Sequence, residues 1–187
     1  ARLPPGLPLV LLGHSMGGLV AARFVAGDDG AGWARPVQAL VLSSPALDPG
    51  MSIPQKLLLA SLGRLAPNLA VGNGLKPEWI SRDAQVVRNY RADPLVQDRV
   101  TPRLARFIVD GGAAVAARAA DWRLPTLLLY AGSDRCVAPA GSAAFAASAP
   151  RSAVTAQVFQ PLFHEIFNEP EQAQVFGRLR DWLLRLV

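Results

Sequence analysis

An apolar run, Leu9-Val10-Leu11-Leu12, passes straight into Gly13-His14-Ser15-Met16-Gly17. This order fits a strand, a sharp turn that carries a serine, and then a helix, the arrangement of a nucleophile elbow. The residue types follow from the geometry. A serine held at a strained turn brings the chain on either side into close approach. Gly13 and Gly17 read as the positions whose missing side chains allow this. Ser15 is then presented above the N-terminus of a helix that starts near Gly17. There the helix dipole and the free amide of Met16 favour negative charge. Ser15 is the candidate nucleophile and Met16 N–H a candidate oxyanion donor.

A serine hydroxyl attacks poorly until a positioned base takes its proton. The chain has two histidines. His14 adjoins Ser15 and reads as a residue that packs under the turn or bonds nearby backbone. His164 remains as the base. It lies between a strand-like stretch, Val154 to Phe159, and a helix start at Asn168-Glu169-Pro170-Glu171. A base of this kind needs a carboxylate to fix its tautomer. The buried-strand pattern Thr126 to Gly132 ends directly before Ser133-Asp134, which puts Asp134 at a strand's C-terminal end. The rivals are Asp110, Asp121 and Glu165. None follows a convincing strand, and Glu165 is too near His164 in sequence to brace it from behind.

Composition narrows the remaining classes. A chain of 187 residues that is 51% hydrophobic can bury one sizeable core. It has no apolar stretch near the ~18 residues of a membrane span. Its single cysteine, Cys136, excludes an internal disulfide and reads as packing near the sheet end. With one cysteine and two histidines, no metal site is expected. The net charge of +5 comes from 17 arginines and 2 lysines against 14 acidic residues. The arginines are scattered, without a recognition helix or an aromatic-basic stripe, so no nucleic-acid partner is expected. Basic charge does favour contact with an anionic lipid surface. The expected location is cytoplasmic.

Four core strands are predicted, at Leu7–Leu12, Val37–Ser43, Thr126–Tyr130 and Val154–Phe159. The elbow helix ends in the loop 27–30. A helix over Pro139–Ser148 has proline in its first turn. An amphipathic C-terminal helix carries Val175, Phe176, Leu179, Trp182, Leu183 and Leu186 on one face, with Asn168 and Glu171 as capping candidates. The stretch 48–120 breaks the alternation of strand and helix. It reads as a helical cap inserted between two parts of a core, 1–47 and 121–187. Met51, Ile53, Leu57, Leu58, Leu62 and Leu65 form its apolar stripe. Leu58 and Leu62 are the candidate contacts for an acyl chain, with packing against the core as the plain alternative.

The chain resembles the α/β-hydrolase superfamily and, within it, the monoacylglycerol lipase and lysophospholipase-like serine hydrolases. The resemblance rests on 13–18 (Gly-His-Ser-Met-Gly-Gly), Leu42-Ser43-Ser44-Pro45-Ala46, Ile80-Ser81-Arg82-Asp83 and Asp93-Pro94-Leu95-Val96. Gly132-Ser133-Asp134 and 164–169 (His-Glu-Ile-Phe-Asn-Glu) complete it. It implies a mostly parallel sheet flanked by helices. It also implies cofactor-free cleavage of a small-molecule, lipid-like monoacyl ester through an acyl-enzyme on Ser15. Members of this superfamily carry further strands before the elbow, and a loop there that donates the second oxyanion amide. The expectation is therefore that the N-terminal part of the sheet is missing, with an open edge available for self-association. A serine peptidase or an acyltransferase would use the same three residues, and a non-catalytic binding module remains the rival of another class.

Overall fold

The computed structural model describes residues 7–27 and 37–186. Within them β1 (Val10–His14) leads directly into α1 (Ser15–Val25), and β2 (Ala39–Ser43) follows. The expected loop 27–30 lies outside the described residues beyond Gly27. The first strand starts and ends later than the apolar run predicts. Gly13 and His14 still pair with Leu42 and Ser43 of β2, so the ladder carries the strand through to the serine.

After β2 come α2 (Ile53–Leu65), a short antiparallel pair of β3 (Val71–Gly72) and β4 (Arg99–Val100), and, between these two strands, α3 (Ala84–Ala92). Then follow α4 (Pro102–Ala117), β5 (Thr126–Ala131), α5 (Pro139–Ser148), β6 (Val154–Phe159) and α6 (Gln172–Leu183). The main sheet has the order β1-β2-β5-β6, with every neighbouring pair parallel.

Strand alternation divides the interior into two cores. Leu40, Leu42 and Leu128 point to one face, where Leu19 of α1, Val115 of α4 and Phe145 of α5 meet them. Ala39, Val41, Leu127 and Leu129 point to the other, against Val175 and Trp182 of α6 and the loop residues Leu162 and Ile166. Each fully buried leucine contributes roughly 1.5–3 kcal/mol relative to exposure. The C-terminal helix pattern is thus realised through Val175 and Trp182, while Phe176 stands largely exposed. Asn168 and Glu171 do not cap α6 with their side chains. They are engaged elsewhere: Asn168 Nδ2 donates to Glu165, and Glu171 pairs with Arg82.

The stretch 48–120 divides in its packing. α2 and α3 contain no buried residue. α4 is built into the first core. A Cβ on Gly112 would stand 2.2 Å from the Leu47 carbonyl oxygen, and one on Gly111 would press on Arg23 and Leu19. Packing of the α2 stripe, the plain alternative, is found only in part: Leu62 is half-buried, while Ile53, Leu57 and Leu65 are 76%, 65% and 84% exposed. Among the described residues, no helix is long and apolar enough to cross a membrane.

Candidate active site

The turn at Ser15 is strained as the sequence demands. Ser15 has φ of 53°, a left-handed conformation that side chains rarely adopt outside special turns. A Cβ on Gly13 would lie 2.4 Å from the Gly17 carbonyl oxygen, so this position needs glycine. The expectation for Gly17 requires correction, because a Cβ there would meet open space. The second crowded residue is Gly18, where a Cβ would stand 2.9 Å from Pro45 Cβ and 3.0 Å from the Gly13 carbonyl oxygen. The loop after β2 therefore presses on the elbow, and Ala46 N–H donates to the Ser15 carbonyl at 2.9 Å. That loop begins at Ser44, buried and itself at φ of 39°. α1 has no side-chain cap, and first-turn amides such as Met16 N–H have no intrahelical acceptor.

The carboxylate and the imidazole come together from neighbouring strands. β5 and β6 are joined past their ladder by Ser133 N–H to the Leu162 carbonyl at 3.1 Å and by the Ser133 hydroxyl to the Gln160 carbonyl at 2.7 Å. Asp134 follows at once. Its Oδ1 accepts from the amides of Cys136 and Val137 at 2.8 and 3.1 Å, which fixes the carboxylate plane. Its Oδ2 lies 2.7 Å from His164 Nδ1, and both side chains are almost wholly buried. A carboxylate on Nδ1 leaves Nε2 as the face that meets a nucleophile. Two of the rival carboxylates are engaged elsewhere. Asp110 pairs with Arg106 on the surface of α4, and Glu165 accepts from Asn168.

Ser15 and His164 line one cleft of about 530 Å³. Its walls include Leu75, Ile80, Tyr90 and Val96 from the stretch between β3 and β4. Leu58 and Leu62 are not among the lining residues, which corrects the expectation for them. α2 packs on α4 and leaves Leu58 60% exposed on the outside. Burial, with Glu165 and Cys136 nearby, pushes the Tyr90 hydroxyl above its ordinary pKa.

Sequence reasoning missed the place of His14. It lines the same cleft, its ring centroid 4.7 Å from that of His164, and its Nδ1 is hydrogen-bonded to the Ser43 hydroxyl at 3.0 Å. Burial, reinforced by His164, lowers its pKa to about 4. It is therefore a neutral neighbour of the base at physiological pH. The other missed residue is Glu169, fully buried behind the His164 loop. The two segments it joins, 81–82 and 163–169, are both legible as motifs, but their contact is not.

Asp134, Cys136 and His164 each bring one donor atom within 4.8 Å of the others, the spacing of a small cation site. The Asp134 and His164 atoms are already bonded to each other. Burial, then Asp134 and Glu165, push the Cys136 thiol up to about 12, so it stays protonated. This donor set suits proton transfer between imidazole and carboxylate better than a resident metal.

Known proteins resemble this chain over most of its length. A family model described as serine aminopeptidase, S33, matches residues 2–171. A monoacylglycerol lipase of Mycolicibacterium smegmatis is 35% identical over 183 residues, which is 96% of this chain and 63% of that protein. The phospholipase YtpA of Bacillus subtilis is 32% identical over 93% of this chain and 67% of its own length. This chain thus spans about two thirds of the length of these relatives. The crystal structure of a Paleococcus ferrophilus monoacylglycerol lipase superposes with a TM-score of 0.85 at 32% identity, covering 97% of this chain and 70% of that one. A soluble variant of the Saccharomyces cerevisiae monoglyceride lipase, solved with a substrate analogue, shares the fold at TM-score 0.83 and 20% identity, over 97% and 63% of the two chains. Strand order, elbow and family match converge: this chain belongs to the serine aminopeptidase S33 family and has the α/β-hydrolase fold.

Proposed function

We propose that this chain carries the catalytic residues of a serine hydrolase that cleaves a lipid-like monoacyl ester. The observation that carries the reading is the buried Asp134–His164 pair at 2.7 Å, facing the same cleft as a serine at positive φ. Ser15 Oγ attacks the acyl carbonyl while His164 Nε2 takes its proton. Asp134 holds the imidazole and stabilises the imidazolium. The carbonyl electrons move onto oxygen, and Met16 N–H stabilises that oxyanion as one of its donors. The tetrahedral species collapses, and the alcohol leaves with the proton returned by His164. Water, activated by the same imidazole, then releases the acid and restores Ser15.

The choice of a lipid ester over a peptide rests on the relatives described above, which are named as a monoacylglycerol lipase and a phospholipase. The family description favours the second reading, a peptidase with the same three residues. The stretch 48–101, with two helices free of buried residues, is the proposed cap. The exposed leucines and isoleucine of α2 are its proposed contact with a lipid surface.

Intact mass after fluorophosphonate treatment tests the core of this reading, using the protein at its natural length. A single adduct that disappears in Ser15→Ala is expected, with turnover of a monoacylglycerol reduced by several orders of magnitude. A folded protein that takes no adduct would leave a binding module as the better account. Faster cleavage of an aminoacyl amide than of the ester would favour the peptidase.

A further inference from the structure

His164 is tied down on both flanks, and both ties lead to the same segment. The amide of Phe163, one residue before it, donates to Glu169 Oε2 at 2.9 Å. The amide of Glu165, one residue after it, donates to the Ile80 carbonyl at 2.8 Å. Glu169 then reaches the residues next to Ile80. Its Oε1 accepts from the Ser81 hydroxyl at 2.7 Å and from the Arg82 amide at 2.6 Å, and its Oε2 also accepts from Arg82 Nε at 2.7 Å. The Ser81 hydroxyl also lies 3.1 Å from the Asn168 carbonyl, and it accepts from the Asp83 amide at 3.0 Å.

Glu169 is 0% exposed, and each of its oxygens has two donors. A carboxylate in a dry site is tolerated only when it is paired and its lone pairs are filled, as here. Burial alone would raise its pKa. The side chains of Arg82 and Ser81, with the amides of Phe163 and Arg82, outweigh burial and hold it below the ordinary carboxylate range. Glu169 does not line the cleft, so whatever it does for chemistry it does through the backbone that it holds.

We propose that Glu169 is a positioning residue for His164. It fastens Phe163 to Ser81 and Arg82, beside the Glu165–Ile80 backbone bond, and thereby sets the place of the imidazole relative to Ser15. The inference rests on His164 being the base of the proposed reaction. A loop of this length has no ladder of its own between β6 and α6. Errors of about 1 Å in the place of a catalytic group can cost on the order of a hundredfold in rate.

Two readouts on Glu169→Gln and Ser81→Ala in the protein at its natural length test this. The first is the second-order rate of fluorophosphonate labelling of Ser15. The second is the far-downfield proton resonance of the Nδ1–H shared by His164 and Asp134, assigned by its loss in Asp134→Asn. Glu169→Gln is expected to slow labelling roughly tenfold or more and to shift or broaden that resonance, in protein that still unfolds cooperatively. Ser81→Ala removes one of the four bonds and is expected to move both in the same direction by less. Should Glu169→Gln fail to fold, Ser81→Ala decides alone. An unchanged rate and an unmoved resonance in the folded variants overturn the proposal, even where stability falls. A wild-type protein that shows the resonance but takes no adduct overturns the proposed function instead, and the resonance in the variants still decides the positioning. A wild type with neither overturns both.

Discussion

At the scale of single residues, His14 offers a clear test because its ionisation differs between the folded and unfolded states. Its folded pKa is about 4 against an ordinary 6.5. Between those values the unfolded chain binds a proton that the folded one refuses, so stability falls as pH drops from about 6.5 to about 4. Below that window both states are protonated and this contribution stops changing. The groups that face the ring are His164, Asp134 and Ser43. Urea midpoints at pH 7, 5.5 and 4.5 should fall more steeply for the wild type than for His14→Gln, which can still bond Ser43. Equal slopes would mean that another group sets the acid sensitivity. The close approaches around Ser15 make a second test. Gly18→Ala must push on Pro45 and on the Gly13 carbonyl, and should destabilise by about 1–3 kcal/mol. Gly17→Ala meets open space and should cost much less, and the difference is readable as two urea midpoints.

At the scale of elements, α2 and α4 are neighbours with opposite commitments. α4 is locked to the core by a glycine that sits on the Leu47 carbonyl. Gly112→Ala should therefore lower the unfolding free energy by on the order of 1–3 kcal/mol. α2 is held at its start by a Ser52–Gln55 capping box and leaves Ile53, Leu57, Leu58 and Leu65 in solvent. Leu57→Ser with Leu58→Ser is expected to weaken co-sedimentation with anionic vesicles several-fold while leaving hydrolysis of a soluble short-chain ester unchanged. Loss of both activities together would return these leucines to the substrate path. The sequence made α2 visible as an apolar stripe at helical spacing. It gave no means to tell a stripe that packs from one that faces out, because the partner surface lies many residues away. The strands β5 and β6 were legible almost to the residue, β5 because a buried parallel strand is apolar on both faces and ends here at a glycine, and β6, a mostly unburied edge strand, because Pro150 and Pro161 bracket it. β1 was displaced because Gly13 and His14 look like turn residues while still pairing with β2.

At the scale of the whole molecule, the three residues of the proposed mechanism could be read by elimination. Two histidines, one elbow and one carboxylate after a buried strand leave little choice, and the geometry brings Asp134 and His164 together. What holds them was not legible. Glu169 lies next to a proline in a stretch that looks like an ordinary helix start, and its partners Ser81 and Arg82 are far off in the chain. Long-range polar contacts leave no periodicity to read. The same scale carries a prediction about association. β1 is an edge strand among the described residues, with Leu12 54% exposed. Residues 1–187 expressed alone should self-associate through that edge, as unpaired strand edges do. Sedimentation velocity should show a concentration-dependent shift that Leu12→Lys reduces.

The strand order has one more consequence, and it concerns time. Ser15 enters the site from β1 and His164 from the loop after β6, and β2 and β5 stand between them. No local fragment contains both, so the nucleophile can become reactive only after parallel pairings between distant parts of the chain have closed. Such pairings are the slow ones in folding. Covalent labelling of Ser15 during refolding should therefore rise with the last kinetic phase, after helical signal has returned, which makes the site a clock for completion of the sheet.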